Sequence, residues 1–403
     1  MASCYASVVI NSNHINNMAG IYIHIPFCKK ACHYCNFHFS TSLALKDLFI
    51  ESLLKEVEIV APGPFSAGSS STKGYLENEE IETIYFGGGT PSLLSYNELC
   101  KIFKKLHTHF SIKPDAEITL EANPDDISNV KLREWKSAGI NRLSIGVQSF
   151  FEEDLIWMNR AHHAEDAMRA IQEALQQGFN NITIDLIYGA PALTDEKWKQ
   201  NVKLALQLGV PHLSCYALTV EPSTALDKMI KLQKFPEVDP EKQANQFLLL
   251  TGWMYEAGYE HYEISNFARP GMRSRHNSSY WQGKNYLGLG PSAHSFNGAS
   301  RQWNIANNAL YIKALQNNMA PVEIEYLTAV QQYNEYIMTS LRTVEGTDLN
   351  YVEKIFGVSD VSLIRSLIQP SIANGRVIVE ENIIRLTREG MLHADGIASS
   401  LFK

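Results

Sequence analysis

Short apolar, β-branched segments alternate with segments of helical periodicity, and this alternation constrains the fold more than any other feature. The apolar segments are residues 21–25, 81–86, 116–121, 142–147, 182–188 and 212–218. Helical spacing of apolar residues marks 43–60, 95–110, 130–138, 164–177 and 197–208. The pattern predicts an α/β fold of βα units with parallel strands buried on both faces. Six units are too few for a closed eightfold barrel, so we expect a partial, open (β/α)6 barrel of the TIM type.

Changes in composition divide the chain further. Residues 1–19 are expected to form a disordered tail, 20–236 the barrel core, and the Pro-, Gly- and Ser-rich stretch 61–80 a flexible insertion. An extension rich in glycine and aromatic residues is assigned to 237–320. A C-terminal domain at 321–403 opens with a predicted helix at 327–344. Predicted elements at 361–368, 376–380, 383–386 and 387–401 then give helix, hairpin and helix, a winged-helix-like arrangement.

Composition and charge exclude several classes of function. The 403 residues are 45% hydrophobic and 19% charged, as expected for a packed globular protein, and the formal net charge is −8. Long-range attraction to nucleic acid or to an anionic membrane is therefore not expected. No run of about 18 apolar residues is present, so we predict no transmembrane segment. The first twenty residues lack Arg and Lys, which argues against a secretory signal.

Three cysteines fall within eight residues, directly after the first predicted strand. Six cysteines in 403 residues are too few for a disulfide scaffold, so the cluster of Cys28, Cys32 and Cys35 is a candidate metal site. Three thiolates on a short loop can each hold one iron of a cubane cluster, which leaves the fourth iron open to an exchangeable ligand. A zinc ion is the alternative, with His33 or His38 completing the four ligands that zinc needs.

Polar groups follow the carboxyl ends of the other predicted strands, where parallel barrels carry their functional residues. Gly87 to Pro91 follows the second strand, and Glu121, Gln148 and Asp185 lie at the third, fourth and fifth. A glycine run lets backbone approach a ligand, while the carboxylates can accept hydrogen bonds from an ammonium group or from ribose hydroxyls. Each residue alone could be a turn glycine or a capping carboxylate, but together they predict a cofactor site.

As a set, these motifs resemble radical S-adenosylmethionine (SAM) proteins of the HemN/HemW family. The resemblance rests on five segments and covers roughly residues 20 to 400. They are Tyr22-Ile-His-Ile-Pro-Phe-Cys28, the CxxxCxxC loop, Gly87-Gly-Gly-Thr-Pro91, Gly146-Val-Gln-Ser-Phe150 and Asp185-Leu-Ile-Tyr-Gly189.

The resemblance implies a set of cofactors and contacts. The three cysteines would ligate a [4Fe–4S] cluster, whose electron cleaves SAM to methionine and a 5′-deoxyadenosyl radical. The residues implied to line the SAM site are Tyr22, Tyr34, Gly88, Gly89, Thr90, Glu121, Gln148, Arg160 and Asp185. The protein would place the reactive carbon and exclude water.

Two features bear on the branch of the family. The oxygen-independent coproporphyrinogen III dehydrogenases resemble CxxxCxxCxC, whereas Phe37 occupies the position of the fourth cysteine here, and only 21 residues precede Tyr22. The segment from His276 to Trp281 resembles the HNxxYW signature of the haem chaperones.

This second resemblance implies that His276, Asn277, Tyr280 and Trp281 form a haem site. An imidazole can bind haem iron, and flat rings can stack on porphyrin. The alternative is a polar loop held by a buried Tyr–Trp pair. The segment from Gly288 to His294 also resembles the family and is expected to place a loop near the cofactor, although His294 could be structural.

The sequence therefore favours a haem chaperone that delivers haem to an acceptor protein and receives electrons from a donor, with a homodimer left open. Coproporphyrinogen III dehydrogenase is the enzymatic alternative, and a zinc-stabilised barrel with neither activity is the third. An intracellular location is expected, in the cytoplasm by default, with a plastid or mitochondrion left open.

Overall fold

The computed structural model describes residues 18–61, 75–76 and 79–403. Most of the predicted tail and of the predicted insertion at 61–80 lies outside the described residues. The first strand begins at Met18, so the last two residues assigned to the tail belong to the sheet.

The six predicted βα units are present in the first half of the chain. The strands are β1 (Met18–Ile25), β2 (Glu80–Gly88), β3 (Ser111–Ala122), β4 (Arg142–Gln148), β5 (Ile182–Tyr188) and β6 (His212–Ala217). The helices are α1 (Lys46–Val60), α2 (Tyr96–His109), α3 (Asn129–Ala138), α4 (Glu152–Trp157), α5 (Ala164–Gln176) and α6 (Asp195–Gln207). Only α4, a short helix between β4 and α5, was not predicted.

The periodicity of the sequence explains these elements. On α5, Ala167, Ala170, Ile171 and Ala174 are buried, which is the spacing of a single helix face. In β5, six of seven residues are buried, as expected for a parallel strand that is covered on both faces. Helix α2 begins with a capping box in which Ser95 and Glu98 exchange hydrogen bonds.

The second half of the chain extends the sheet at both edges. Its strands are β7 (Glu260–Glu263), β8 (Asn266–Ala268), β9 (Tyr286–Leu289), β10 (His294–Phe296), β11 (Ser300–Asn304) and β12 (Val322–Tyr326). Its helices are α7 (Ala225–Lys231), α8 (Pro240–Glu256), α9 (Arg275–Trp281) and α10 (Asn308–Gln316). The resulting twelve-stranded sheet has the order β12-β11-β10-β9-β1-β2-β3-β4-β5-β6-β8-β7.

Strands β1 to β6 run parallel, which confirms the partial barrel, and the sheet stays open. Strand β9 adds parallel to β1, and β8 adds antiparallel to β6. Within the described residues, no helix has the length and apolar character needed to cross a membrane.

The C-terminal part has its own hydrophobic cluster. Its elements are α11 (Ala329–Leu341), β13 (Thr347–Asp348), α12 (Leu349–Phe356), α13 (Val358–Leu367), α14 (Gln369–Ala373), β14 (Val377–Glu380), β15 (Ile383–Leu386), α15 (Arg388–Met391) and α16 (Ala394–Ser400). Strands pair in the order β13-β15-β14. Tyr333, Ile337, Ile364 and Ile384 form the centre of the cluster.

The helix predicted over 387–401 is wrong in one respect, because it is divided into α15 and α16. Gly390 packs so closely on the backbone of Arg376 that an added Cβ would lie 1.9 Å from its carbonyl oxygen. This contact fixes the direction of α15, and the chain turns at His393 before α16 begins.

A buried carboxylate ties the sheet extension to the barrel. Glu56 on α1 accepts hydrogen bonds from the Gly290 amide (2.8 Å), the Tyr311 hydroxyl (2.6 Å) and the Asn304 side chain. Burial raises its pKa to about 7. The group thus joins α1, α10, β11 and the loop after β9.

Replacing Glu56 tests this connection. Glu56→Ala leaves three buried donors without an acceptor, and we expect the free energy of unfolding to fall by about 3 kcal/mol. Chemical denaturation of the full chain measures it. Glu51→Ala, at an exposed position of the same helix, is the control and should change stability by less than about 0.5 kcal/mol. Equal effects of the two variants would contradict this role of Glu56.

Candidate functional site

The cysteine loop leaves the end of β1 and returns to it. Cys28 donates its backbone N–H to the carbonyl of Ser40 at 3.0 Å, and Phe27 pairs with Ser40 in an isolated bridge. Cys28, Cys32 and Cys35 are free and partly exposed. Burial raises the pKa of Cys28 to about 11, so metal binding there must displace a proton. The loop therefore presents three thiols at the carboxyl edge of the sheet.

Arg160 connects this loop to the barrel. Its guanidinium donates to the Cys32 sulfur (3.2 Å) and the Tyr34 hydroxyl (3.3 Å). The same group donates to Asn123 Oδ1 (2.8 Å) and to the Gly146 carbonyl (2.9 Å). Two residues implied by the family resemblance, Tyr34 and Arg160, are thus brought together with the cysteines. Asn123, which sequence reasoning missed, follows β3 and completes the contact.

The glycine run after β2 packs on the cysteine loop. Thr90 lies in the turn close enough to the Cys28 thiol to lower its pKa, against the larger effect of burial. Gly89 donates its N–H to the Ile25 carbonyl at 2.8 Å, and an added Cβ would lie 2.6 Å from the Phe27 carbonyl oxygen. Gly88 has φ +103, and its added Cβ would meet the His24 ring at 2.6 Å. Gly88 and Gly89 are therefore required by contacts within the chain, in addition to the close approach to a ligand that the sequence predicts.

Glu121, near the end of β3, and Asp185, within β5, share one region. Glu121 accepts a hydrogen bond from the Tyr85 hydroxyl at 2.8 Å, and the nearby Gly88 amide lowers its pKa in part. Burial, with a smaller contribution from the nearby charge of Asp185, raises the pKa of Glu121 to about 8. Burial also raises the pKa of Asp185 to about 6. Two carboxylates kept out of water in this way suit a cationic head group, whose charge would favour their ionised form.

Two further residues of the predicted site line the same end of the barrel. Gln148 ends β4 with φ +68, a left-handed conformation that is costly for a residue with a side chain and is found most often at functional positions. Tyr22 on β1 stacks on Tyr85, with ring centroids 6.1 Å apart, and its hydroxyl contacts His24 Nδ1 at 3.2 Å. Apart from Tyr22 and Asp185, which lie within β1 and β5, the residues predicted for SAM binding therefore lie around the cysteine loop or at an adjoining strand end.

Acidic residues after β3 hold the cysteine loop from outside. Lys29 pairs with Asp125 at 2.8 Å and also with Asp126. Asn159 donates to the Ala31 carbonyl at 2.7 Å. Sequence reasoning missed these residues because surface charges rarely identify their partners across 96 positions.

The ligands around the three thiols can be compared with those that an iron–sulfur cubane needs and with those that a single zinc ion needs. A mononuclear zinc site needs four ligands converging at about 2.0 to 2.3 Å from one point. Among the described residues, no group of three or more His, Cys, Asp or Glu side chains converges in that way. His33 and His38, the predicted fourth ligands, are bonded to the Trp157 carbonyl (2.8 Å) and to Asn308 (2.7 Å). Three free thiols on one loop are the ligand set that a cubane cluster with one open iron needs.

The HNxxYW segment forms helix α9, which lies against the barrel interior. His276 and Tyr280 are one turn apart on the same face, and their side chains bond at 2.9 Å. Trp281 lies elsewhere and packs against the Arg342 guanidinium, 5.2 Å from the ring centroid. The side chain of Asn277 is partly exposed. The four predicted haem contacts are therefore divided between two faces of the helix, with His276 and Tyr280 on one and Asn277 and Trp281 on the other.

His276 is buried, and both of its ring nitrogens are occupied. Nδ1 contacts the Thr83 hydroxyl at 2.8 Å, and Nε2 contacts Tyr280. Its ring stacks on Tyr85 with centroids 4.9 Å apart. Burial and the charge of Arg142 lower its pKa to about 3. The imidazole is neutral, but it holds Tyr280 in place instead of facing an open space.

A cavity of about 450 Å³ opens between the cysteine loop and strands β9 and β10. Its walls include Tyr22, Phe37, His38, Tyr280, Tyr286 and His294. Tyr22 and Tyr280 belong to the residues predicted for SAM and haem, so the cavity adjoins both predicted sites.

Comparison with known proteins agrees with this geometry. The radical SAM superfamily model matches residues 22–205, and the HemN C-terminal domain model matches 327–393. The coproporphyrinogen III oxidase HemN from Escherichia coli has a similar structure, with a TM-score of 0.82, 24% identity and coverage of 96% of this chain and 91% of that chain. The fold is therefore that of a radical SAM protein.

Full-length relatives define the family. The haem chaperone HemW of Mycobacterium tuberculosis is 33% identical over 387 residues, 95% of this chain and 94% of the relative. HemW of Bacillus subtilis is 32% identical over 93% of this chain and 97% of the relative. The mitochondrial radical SAM domain-containing protein 1 of Mus musculus is 35% identical over 68% and 60%. The chain belongs to the HemW family of radical SAM proteins.

The contact at Gly89 can be tested directly. We expect Gly89→Ala to push the end of β1 away from the turn, lowering the free energy of unfolding by about 1–3 kcal/mol. Iron retention by the cysteine loop should fall as well. Gly396→Ala, at an exposed position on α16 where an added Cβ meets nothing within 4 Å, is the control: it should keep iron retention unchanged and should not lower the free energy of unfolding. Unchanged iron retention in Gly89→Ala would show that the loop does not depend on this packing.

Proposed function

We propose that the chain is a haem chaperone, which binds haem and transfers it to an acceptor protein. The observation that carries the proposal is end-to-end similarity to proteins named haem chaperone HemW, at 33% identity over 95% of the chain. The described residues add a barrel mouth in which a cysteine loop adjoins an aromatic cavity.

Cys28, Cys32 and Cys35 would hold a [4Fe–4S] cluster, and SAM would occupy its open iron. When bound, this pair supplies one-electron chemistry at the barrel mouth. Arg160 would fix the loop through Cys32 and Tyr34. Glu121 and Asp185 would receive the ammonium group and ribose hydroxyls, with Gln148 as a donor. Glu121 must lose its proton to pair with an ammonium group, since burial raises its pKa to about 8.

In this proposal the HNxxYW segment supports the haem cavity through Tyr280. His276 holds the Tyr280 hydroxyl, and Tyr280 packs edge-on against Tyr286 with centroids 4.7 Å apart. Loss of the imidazole frees a buried hydroxyl, so His276→Ala should weaken haem uptake. Trp281 would act by joining α9 to the C-terminal part through Arg342.

The proposal includes partners and a compartment. Haem delivery requires an acceptor protein, and reduction of the cluster requires an electron donor. Free thiols on the cysteine loop are consistent with a reducing, intracellular compartment. Two mammalian relatives are named mitochondrial.

Metal analysis distinguishes a cluster from zinc. We expect anaerobically reconstituted chain to contain about four irons and four acid-labile sulfides. Cys28→Ala, Cys32→Ala and Cys35→Ala should each lose most of both. Cys100→Ala, which removes a partly exposed thiol on α2, is the control and should retain them. Stoichiometric zinc without sulfide in the unaltered chain would refute the cluster.

A haem assay beside an enzyme assay tests the function itself. The reconstituted full chain should bind haem in an optical titration and release it to a haem-free globin used as a probe acceptor. It should leave coproporphyrinogen III unchanged under anaerobic conditions with SAM and a reductant, since Phe37 stands where the dehydrogenase branch carries a cysteine. Conversion of coproporphyrinogen III would favour the dehydrogenase, and failure to bind haem would end the chaperone proposal.

A further inference from the structure

The cavity at the barrel mouth contains three imidazoles, and they differ in their freedom to bind a metal. His24 has both ring nitrogens engaged, by the Tyr22 hydroxyl at 3.2 Å and by the His38 carbonyl at 2.8 Å. His38 Nε2 is bonded to Asn308 at 2.7 Å. His294 is exposed, and its ring makes no hydrogen bond within the described residues. Of these three imidazoles, only His294 can bind a metal through either ring nitrogen without breaking an existing hydrogen bond.

The backbone before His294 is tightly constrained. Gly288 packs on the backbone of His294, where an added Cβ would lie 2.1 Å from the carbonyl oxygen. Gly290, with φ +94, packs on the His24 carbonyl, 2.4 Å from an added Cβ. Ser292 has φ +66, a strained conformation for a residue with a side chain. Short strand β10 then begins at His294. The loop thus fixes an exposed imidazole at the cavity rim.

Aromatic rings provide the rest of the surface. Phe37 is 67% exposed, which is unusual for a large apolar ring beside a cavity. Tyr286 and Tyr280 form an edge-on pair with ring centroids 4.7 Å apart. The volume of about 450 Å³ lies in the range of cavities that hold small ligands. Flat apolar surface beside a free imidazole is the chemistry that recognises an iron porphyrin.

We propose that haem binds in this cavity with an imidazole nitrogen of His294 as an axial ligand to iron. Phe37 and Tyr286 contact the porphyrin, and His276 acts from behind by positioning Tyr280. The inference rests on the proposed haem-binding function and names the site that carries it. Because the cavity is open, part of the porphyrin stays in water, which suits a protein that must release its haem.

Ferric haem titration of the full chain tests the assignment. We expect a histidine-ligated spectrum by absorption and electron paramagnetic resonance. His294→Ala should remove that signature and weaken haem binding by about tenfold or more, and added imidazole should restore the signature. His276→Ala should weaken binding while keeping the signature. His107→Ala, at an exposed position on α2, is the matched control and should change neither.

Metal-free protoporphyrin IX separates ligation from stacking. It should bind unaltered chain and His294→Ala equally, whereas Phe37→Ala should weaken its binding. The assignment of His294 would be overturned if the histidine signature persisted in His294→Ala, or if it disappeared in His38→Ala or His276→Ala instead. The proposed chaperone function would survive either result. Absence of haem binding by the unaltered chain would overturn both this site and the chaperone function.

Discussion

The packing of the cysteine loop on the glycine turn after β2 is the contact on which the site depends. Gly89 has room for no side chain between the ends of β1 and β2, and Thr90 reaches the Cys28 thiol from the same turn. Arg160 then joins the other side of the loop to the end of β4. A loop that is anchored only at its two ends would leave its three thiols free to adopt many positions. Fixing it against three strand ends pre-organises them, so less entropy is lost when metal binds.

The interior of the barrel beneath the site is polar, and this explains the position of His276. Glu117 accepts from the His276 amide at 3.0 Å, and Arg142 bonds to Thr183. His212 continues the network to the Tyr262 hydroxyl at 2.7 Å. Buried polar groups are tolerated when their partners are present, and such networks fix a unique packing. The histidine of the HNxxYW segment is part of this network, which accounts for its low exposure.

Much of the fold and cofactor site could be predicted from sequence because strands β1 to β6 are long, apolar and separated by amphipathic helices. Their carboxyl ends therefore meet, and the residues at those ends meet with them. Strands β7 to β12 were not predicted because three to five residues give too little periodicity. The packing role of Gly89 could not be predicted, since its amide bonds to Ile25, which is distant in sequence. His294 could not be singled out, because only the tertiary structure distinguishes a free imidazole from a bonded one.

Strand β1 lies inside the twelve-stranded sheet, between β9 and β2, and connects the cysteine loop to the aromatic cavity. One end of this strand continues into the cysteine loop, while Tyr22 and His24 on the same strand line the aromatic cavity. His24 also holds the backbone of His38, which belongs to the loop. The cysteine loop and the aromatic cavity therefore both contact β1, so a displacement of β1 changes both. For the cluster and haem sites proposed above, thermodynamic reciprocity requires that any effect of metal loading on porphyrin affinity equals the effect of porphyrin on metal affinity.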